Sequence, residues 1–161
     1  MSAPHNIHAT GLVLDGTGLI LRGPSGSGKS LLALDLLEQW QARGRAAALV
    51  SDDRVEIIAG DGWLSMQPAP NIGGLIELRG RGIVRRPFVT EAPLHLVIDL
   101  VDTLERMLEE DALVTELYGV GVARAPVPRA GVVDSRHQLL LIGEAIAAVN
   151  AAAPVARQKT T

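Results

Sequence analysis

The chain has 161 residues, of which 47% are hydrophobic, 20% charged and only 2% aromatic, with a formal net charge of −3 and no cysteine. This composition predicts one globular domain with an aliphatic core, and it excludes intrinsic disorder as the main state. The slight acidity and the scarcity of aromatic rings argue against a nucleic-acid binder, and the lack of cysteine excludes disulfides and thiolate metal sites.

The N-terminal residues lack the apolar stretch of a signal peptide. Residues 1–10 contain one proline and two histidines, whereas a secretory signal needs a hydrophobic segment of ~7–15 residues. No apolar run elsewhere approaches the ~18 residues of a membrane span. We therefore expect a cytoplasmic protein with no membrane partner and no nucleic-acid partner.

The first part of the chain predicts strands, a loop and a helix in succession. Residues 7–14 show partial apolar alternation and residues 19–21 form a short apolar run, so both are predicted strands. Residues 29–43 have leucines at helical spacing and stop just before Gly44, the residue type favoured after a helix C-terminus. This order is typical of an α/β fold.

The rest of the chain predicts more strands than helices. Further strands are predicted over residues 46–50, 55–59, 63–67 and 94–101, with a short element over residues 75–82 that leads into a strand near Ile83. Helices are predicted over residues 103–110 and 134–149. A glycine-containing turn joins two of the strands into a hairpin, which favours a mixed sheet. The predicted fold is a single α/β domain over residues 1–150, followed by a flexible tail over residues 151–161.

A glycine-rich segment lies between the second predicted strand and the first predicted helix. It matches the phosphate-binding pattern G-x-x-x-x-G-K-[ST] and consists of Gly23, Pro24, Ser25, Gly26, Ser27, Gly28, Lys29 and Ser30. Glycines let the backbone curl so that several N–H groups point at phosphate oxygens, and the following helix directs its positive end to the same place. Lys29 is expected to reach the β- and γ-phosphates of a nucleotide, and Ser30 to ligate Mg²⁺. This segment, called the glycine-rich loop below, predicts a P-loop nucleotide site.

Two other segments supply acidic residues near predicted strand ends. Asp52 and Asp53 follow the strand predicted over residues 46–50, and adjacent side chains on an extended chain point to opposite sides. One carboxylate could then face the phosphates while the other faces a second partner, and a solvated polar strand end is the alternative. Asp99 lies inside an apolar run, which leaves a functional role and a structural ion pair equally open.

His8 and Glu77 each have two interpretations. His8 lies in a predicted apolar strand, where a hydrogen-bonded core histidine is the alternative to a catalytic one. Glu77 lies among apolar residues, where an unpaired charge is costly. It is therefore either paired with an arginine such as Arg79 or Arg81, or bound to a metal ion.

Four features, taken in order, resemble the catalytic domain of the HPr kinase/phosphorylase family. They are the histidine before the loop (His8), the glycine-rich loop, the Asp52-Asp53 pair and the segment over residues 76–83. The last is the most specific, because Ile-Glu-Leu-Arg-Gly-Arg-Gly-Ile is close to the family segment I-E-I-R-G-L-G-I. The resemblance covers roughly residues 6–106, and it is to short forms of the family that lack an N-terminal domain.

The resemblance implies an ATP- and Mg²⁺-dependent kinase that phosphorylates a serine of the phosphocarrier protein HPr. It also implies a fold related to the nucleotide-binding part of PEP carboxykinase. Asp53 corresponds to the family's base for the serine hydroxyl, and Ser30 and Glu77 correspond to its Mg²⁺ ligands. The catalytic residues that the resemblance implies are Asp53, Asp52, His8, Lys29 and Arg106, the last lying in a weak match to the family's arginine segment.

Several properties stay open at this point. The family's reverse reaction, in which inorganic phosphate removes the phosphate from HPr, is linked to a segment close to P-V-x-x-G-R-N, and residues 126–131 match it only in part. Phosphorolysis, with phosphate or pyrophosphate as a further partner, is thus an open expectation, and the family implies a homo-hexamer. A small-molecule kinase with an arginine-rich lid and a nucleotide-sensing module without chemistry are the competing interpretations.

Overall fold

The computed structural model describes residues 3–152. The strands are β1 (His5–Ile7), β2 (Ala9–Leu14), β3 (Thr17–Arg22), β4 (Ala47–Ser51), β5 (Val55–Ala59), β6 (Leu64–Pro68), β7 (Leu75–Leu78), β8 (Gly82–Arg85), β9 (Ala92–Pro93), β10 (Leu96–Val101), β11 (Val114–Leu117) and β12 (Val120–Pro128). The helices are α1 (Lys29–Ala42) and α2 (Ser135–Ala152), with a short 3-10 helix at Glu110–Leu113. No helix in this part of the chain is long and apolar enough to cross a membrane.

The central sheet has six strands in the order β11-β12-β10-β3-β2-β4. β10 runs parallel to β3 and β12, whereas β2 runs antiparallel to both β3 and β4. The predicted mixed sheet is therefore confirmed. Because β3, β4, β10 and β12 share one direction, their carboxyl ends lie along the same side of the sheet, which is called the carboxyl edge below.

The two faces of the central sheet bury two separate apolar clusters. Side chains alternate along a strand, so Leu21 and Ile98 join the cluster that contains α1 and α2, whereas Ile20 and Val97 join the opposite one. The opposite cluster is completed by a four-stranded sheet in the order β1-β5-β6-β9. The fold is thus a layer of helices, the central sheet and a second sheet.

The helix predicted over residues 29–43 is confirmed as α1 with nearly the same limits. Gly44 follows it with a φ of 73°, the left-handed conformation that ends helices at low steric cost. The helix predicted over residues 134–149 is confirmed as α2, which continues through Ala152. The tail predicted from Ala151 therefore begins inside α2, and its residues 153–161 lie outside the described part of the chain.

The helix predicted over residues 103–110 is wrong. Residues 103–109 form a loop, in which Met107 is 83% exposed and Leu104 is 52% exposed, and Glu110 begins the 3-10 helix. A helix of two turns is marginal unless packing buries its apolar face, and here Leu104, Met107 and Leu108 all remain at least 40% exposed.

Three further details of the chain differ from the sequence-based prediction. The strand predicted over residues 7–14 is divided at His8 into β1 and β2, which belong to different sheets. The element over residues 75–82 forms the β7–β8 hairpin, whose Ile76, Leu78 and Val84 pack against the α1 cluster. The strands β11 and β12, which the sequence analysis did not predict, complete one end of the central sheet.

Candidate functional site

The carboxyl edge gathers most of the residues predicted from the sequence. The glycine-rich loop follows β3, Asp52 and Asp53 follow β4, and the loop that carries Arg106 follows β10. β2 runs in the opposite direction and starts at this edge, which places His8 beside the end of β4. Parallel strand ends are common ligand sites in α/β folds, because loops from several strands converge there.

Lys29 is buried against the glycine-rich loop. Its Nζ donates hydrogen bonds to the Gly23 carbonyl at 2.7 Å and to the Pro24 carbonyl at 3.1 Å. Burial lowers the pKa of Lys29 from its ordinary value, and the negative charges of Asp53 and Asp52 act in the opposite direction. The ammonium group is thus hydrogen-bonded to backbone carbonyls, and within residues 3–152 it forms no ion pair with either carboxylate.

The loop backbone has two features that fit an anion. Gly26 and Gly28 have φ values of 82° and 92°, a region that other residues adopt only with strain, so the tight curl requires glycine there. Ser27 Oγ is buried and has no hydrogen-bond partner in the described part of the chain. A buried unpaired hydroxyl is costly, and a phosphate oxygen would accept its hydrogen bond.

Asp52 joins three elements that are distant in sequence. Its Oδ1 accepts hydrogen bonds from Ser30 Oγ at 2.7 Å and from Thr10 Oγ1 at 3.0 Å, and its Oδ2 accepts one from the Glu77 N–H at 3.1 Å. The side chain is buried, but all three donors are neutral. Asp52 forms no ion pair within residues 3–152, so its carboxylate fits a metal ligand.

Asp53 lies in a strained turn and points outward. Its φ is 66°, and the Arg54 N–H donates to the Asp52 carbonyl at 2.7 Å, which together are the features of the rarer and more strained type of γ-turn. His8 Nε2 lies 2.7 Å from Asp53 Oδ1. The two adjacent aspartates diverge as predicted, but a left-handed turn separates them, whereas the prediction assumed an extended chain.

A cavity of about 490 Å³ opens beside Asp53. Its polar lining comes from Asn6, Asp52, Asp53, Arg54 and Glu77, and its apolar lining from Ala69, Pro70, Ile72, Leu75 and Ile83. Acidic groups therefore lie on one side of a pocket that is large enough for a segment of another molecule.

Any metal at this site must complete its coordination with groups from elsewhere. Within residues 3–152 no three His, Asp or Glu side chains form a cluster that could hold a metal ion. Mg²⁺ usually keeps several waters and binds one or two carboxylates together with substrate phosphates. Ser30, Asp52 and Glu77 therefore fit a Mg²⁺ ion that is shared with a nucleotide.

Comparison with known proteins decides which family contains this arrangement. The model of the HPr Serine kinase C-terminal domain matches residues 1–153. The chain belongs to this family. The predicted resemblance to HPr kinase/phosphorylase is thereby confirmed.

Relatives of this HPr kinase domain are longer than the chain itself. It is 30% identical over 109 residues to the HPr kinase/phosphorylase of Mycoplasma mycoides subsp. mycoides SC, covering 63% of this chain and 33% of that protein. It is 40% identical over 80 residues to the HPr kinase/phosphorylase of Pediococcus pentosaceus, covering 49% of this chain and 24% of that protein. The chain thus spans a third or less of these two relatives.

A solved structure supports the same fold. The Hpr(Ser) kinase/phosphatase from Coxiella burnetii has a TM-score of 0.67 and 26% sequence identity to this chain. The likeness covers 86% of this chain and 92% of that one. The mixed α/β architecture is therefore that of an HPr kinase structure.

The structure also describes the surroundings of Arg106, Glu77 and His8. Arg106 lies exposed in the loop after β10, and it forms no hydrogen bond or ion pair within residues 3–152. Glu77 forms no ion pair with Arg79 or Arg81 in the described structure, so its predicted structural pairing is wrong. His8 is exposed, so its interpretation as a core histidine is also wrong.

Sequence reasoning did not find Thr10 or the partners of Asp99. Thr10 is fully buried and contacts both aspartates after β4. Asp99 accepts hydrogen bonds from Arg22 at 2.7 and 2.9 Å and from Arg124 Nε at 2.6 Å. A polar residue inside a predicted apolar strand is the only sequence signal for either, and it does not identify the partner.

Proposed function

We propose that this HPr kinase family domain transfers the γ-phosphoryl group of ATP, in the presence of Mg²⁺, to a serine of an HPr-like phosphocarrier protein. The single observation that supports the proposal is the arrangement around Asp52 and Asp53. Asp52 contacts Ser30 of the glycine-rich loop, and Asp53 faces the neighbouring cavity. Phosphate-binding groups and a candidate base thus adjoin one another.

The glycine-rich loop supplies the nucleotide site in this proposal. Lys29 is held on the carbonyls of Gly23 and Pro24, and its positive charge is available to the β- and γ-phosphates. The unpaired hydroxyl of Ser27 and the free N–H groups at the start of α1 would donate to phosphate oxygens. Positioning and charge stabilisation are the main contributions that phosphoryl transfer requires of a protein.

Ser30, Asp52 and Glu77 would hold Mg²⁺. When bound, the metal ion neutralises phosphate charge during transfer. Asp52 is fixed through both of its oxygens, which keeps it from rotating away from Ser30. The Glu77 side chain is exposed and lines the same cavity as Asp52. The three groups would thus approach a metal ion from α1, the end of β4 and β7.

Asp53 would accept the proton of the serine hydroxyl. The carboxylate is exposed, so an incoming serine can reach it, and the hydrogen bond with His8 fixes its orientation. A weak base suffices, because little proton removal is needed early in a loose phosphoryl-transfer transition state. The apolar lining of the cavity would contact residues that flank the serine.

Other parts of the proposal rest on family membership. They are a fold related to the nucleotide-binding part of PEP carboxykinase, a homo-hexameric assembly and a cytoplasmic location. The reverse reaction with inorganic phosphate or pyrophosphate also rests on family membership, and residues 126–131 match the phosphorolysis segment in part.

The test is to incubate the purified protein with ATP, Mg²⁺ and HPr, and to weigh HPr by mass spectrometry. We expect one added phosphoryl group on a serine, and none when Mg²⁺ is omitted. Phosphorylated HPr incubated with inorganic phosphate tests the reverse reaction in the same assay. ATP binding without any transfer would favour a sensing module, and transfer to a metabolite but not to HPr would favour a small-molecule kinase.

A further inference from the structure

Three consecutive residues, His8, Ala9 and Thr10, form hydrogen bonds with the three polar groups of Asp53. The carboxylate is hydrogen-bonded to His8, the carbonyl accepts the Ala9 N–H at 3.1 Å, and the Asp53 N–H donates to Thr10 Oγ1 at 3.1 Å. A non-glycine residue in the left-handed region persists only where its surroundings fix it. These contacts explain how Asp53 keeps a φ of 66°.

Thr10 is the member of this set that also contacts Asp52. Its hydroxyl accepts from the Asp53 N–H and donates to Asp52 Oδ1 at 3.0 Å. One hydroxyl therefore fixes the backbone of one aspartate and the side chain of the other. The pairing of β2 with β4 shifts register between Gly11 and Leu12, and such irregularities redirect the residues that follow.

We propose that Thr10 is a positioning residue. It holds Asp53, the proposed base, and Asp52, the proposed metal ligand, in a fixed arrangement. This inference rests on the proposed kinase function. Thr10 itself is fully buried, so it touches neither nucleotide nor acceptor and acts only through the two aspartates.

The hydroxyl of Ser51, next to Asp52 in the chain, is not free to replace that of Thr10. The nearby Ser51 Oγ already donates to the Arg54 carbonyl and accepts the Ala69 N–H at 3.2 Å. Water is excluded from the position, because Thr10 has no exposed surface. Removing the hydroxyl would leave the Asp53 N–H unpaired, and the strained turn would relax towards a different φ.

The test compares Thr10→Val, which keeps the shape but loses the hydroxyl, with Thr10→Ser, which keeps the hydroxyl. Thr115→Val on β11 is the matched control for a Thr-to-Val change in a strand. We expect Thr10→Val to lower kcat for HPr phosphorylation by about 10–100-fold, the usual cost of a misplaced catalytic group, with the KM for ATP nearly unchanged. Thr10→Ser should recover most of the rate, and Thr115→Val should match the wild type.

A spectroscopic measurement separates this inference from the proposed function. The ¹⁵N chemical shift of the His8 ring reports its hydrogen bond to Asp53, and it can be measured without any turnover. We expect this shift to change in Thr10→Val and to return in Thr10→Ser. A wild-type protein that leaves HPr unmodified would overturn the proposed function, whereas the His8 signal would still test Thr10. An unchanged His8 signal in Thr10→Val, or a Thr10→Ser variant as slow as Thr10→Val, would overturn the role of Thr10.

Discussion

Two strands of the central sheet, β4 and β10, carry acidic residues to the carboxyl edge, and the surroundings of these residues differ in kind. Asp99 on β10 lies between the guanidinium groups of Arg22 and Arg124, with only 17% of its side chain exposed. Asp52 and Asp53 after β4 have no arginine or lysine partner among the described residues. Their hydrogen bonds come from hydroxyl and backbone groups and from His8.

The difference separates a carboxylate paired with two arginines from the two carboxylates to which the proposed function assigns chemistry. Burial disfavours the charged form of Asp99, but the hydrogen bonds from Arg22 and Arg124 outweigh it and lower the pKa of Asp99. A carboxylate whose charge is compensated by two guanidinium groups is a poor base or metal ligand. Hydroxyl and backbone groups orient Asp52, and His8 orients Asp53, with no guanidinium group hydrogen-bonded to either carboxylate in the described part of the chain.

The largest expected effect concerns Asp53, one of the two aspartates without an arginine partner. Asp53→Asn keeps the shape of the side chain but cannot accept a proton. HPr phosphorylation should fall by about 10²–10⁴-fold, the typical contribution of a general base. ATP affinity measured by calorimetry should be unchanged, because Asp53 does not hold the phosphates, and Asp61→Asn in the β5–β6 turn is the control.

Asp52→Asn decides the choice within the pair. If Asp53→Asn retains near-normal transfer while Asp52→Asn loses it, the base is Asp52. If both variants phosphorylate HPr normally, the acidic pair is structural and the comparison with Asp99 has no functional meaning.

Asp99→Asn should instead lower the free energy of unfolding and have little effect on the rate of HPr phosphorylation. Loss of the charged hydrogen bonds leaves Arg22 and Arg124 partly buried without a counter-charge, which costs about 2–3 kcal/mol in the free energy of unfolding. Urea denaturation near neutral pH measures this, and Asp102→Asn, which removes an exposed partner of Arg129, should cost under about 1 kcal/mol.

The stability loss in Asp99→Asn should depend on pH with a definite sign. Because folding lowers the pKa of Asp99, its ion pairs stabilise the fold fully above the ordinary Asp pKa of about 3.9. This stabilisation is lost as the pH falls through the lowered pKa of the folded protein. The difference between wild type and variant should therefore be constant near neutrality and shrink in acid below about pH 4. A difference that grows in acid would contradict the ion-pair assignment.

Lys29→Ala tests the cation that is not paired with the reactive carboxylates. Removing its charge should weaken ATP binding by about 1.5–3 kcal/mol, the range for a charged hydrogen bond. Calorimetry measures the change, and Arg136→Ala at the start of α2 is the control for loss of a positive charge. Unchanged ATP affinity in Lys29→Ala would refute the nucleotide site.

The smallest expected effect concerns the metal. Glu77→Gln should raise the Mg²⁺ concentration needed for half-maximal transfer by about tenfold, since an amide oxygen is a weaker ligand than a carboxylate. Circular dichroism should show an intact fold, and Glu116→Gln on β11 should leave the Mg²⁺ dependence as in the wild type. An unchanged Mg²⁺ requirement would remove Glu77 from the metal site.

Local signals in the sequence predicted the part of the fold that precedes residue 102 well. The β5–β6 hairpin follows from its turn residues, and α1 follows from its leucine spacing and Gly44. Between residue 102 and the start of α2 the signals misled. Leu104, Met107 and Leu108 have helical spacing, yet their side chains remain 40–83% exposed, so the spacing does not mark a buried helix face.

β12 was missed because Pro126 and Pro128 argue against a strand. β11 covers only residues 120–123 of β12, so the later part of β12 has one side without a partner strand. A proline on such an edge removes no ladder hydrogen bond, and the strand tolerates both. The sequence does not reveal which side of a strand is unpaired.

Sequence patterns alone identify the glycine-rich loop, helix α1 and the two acidic residues that follow β4. These depend on residue types at short spacing, which act through local backbone geometry. Which of the carboxylates form ion pairs with arginine depends on tertiary contacts. Asp99 meets Arg124 and Asp53 meets Thr10 because sheet order and register place their strands side by side, and contacts across 25 and 43 residues leave no local pattern.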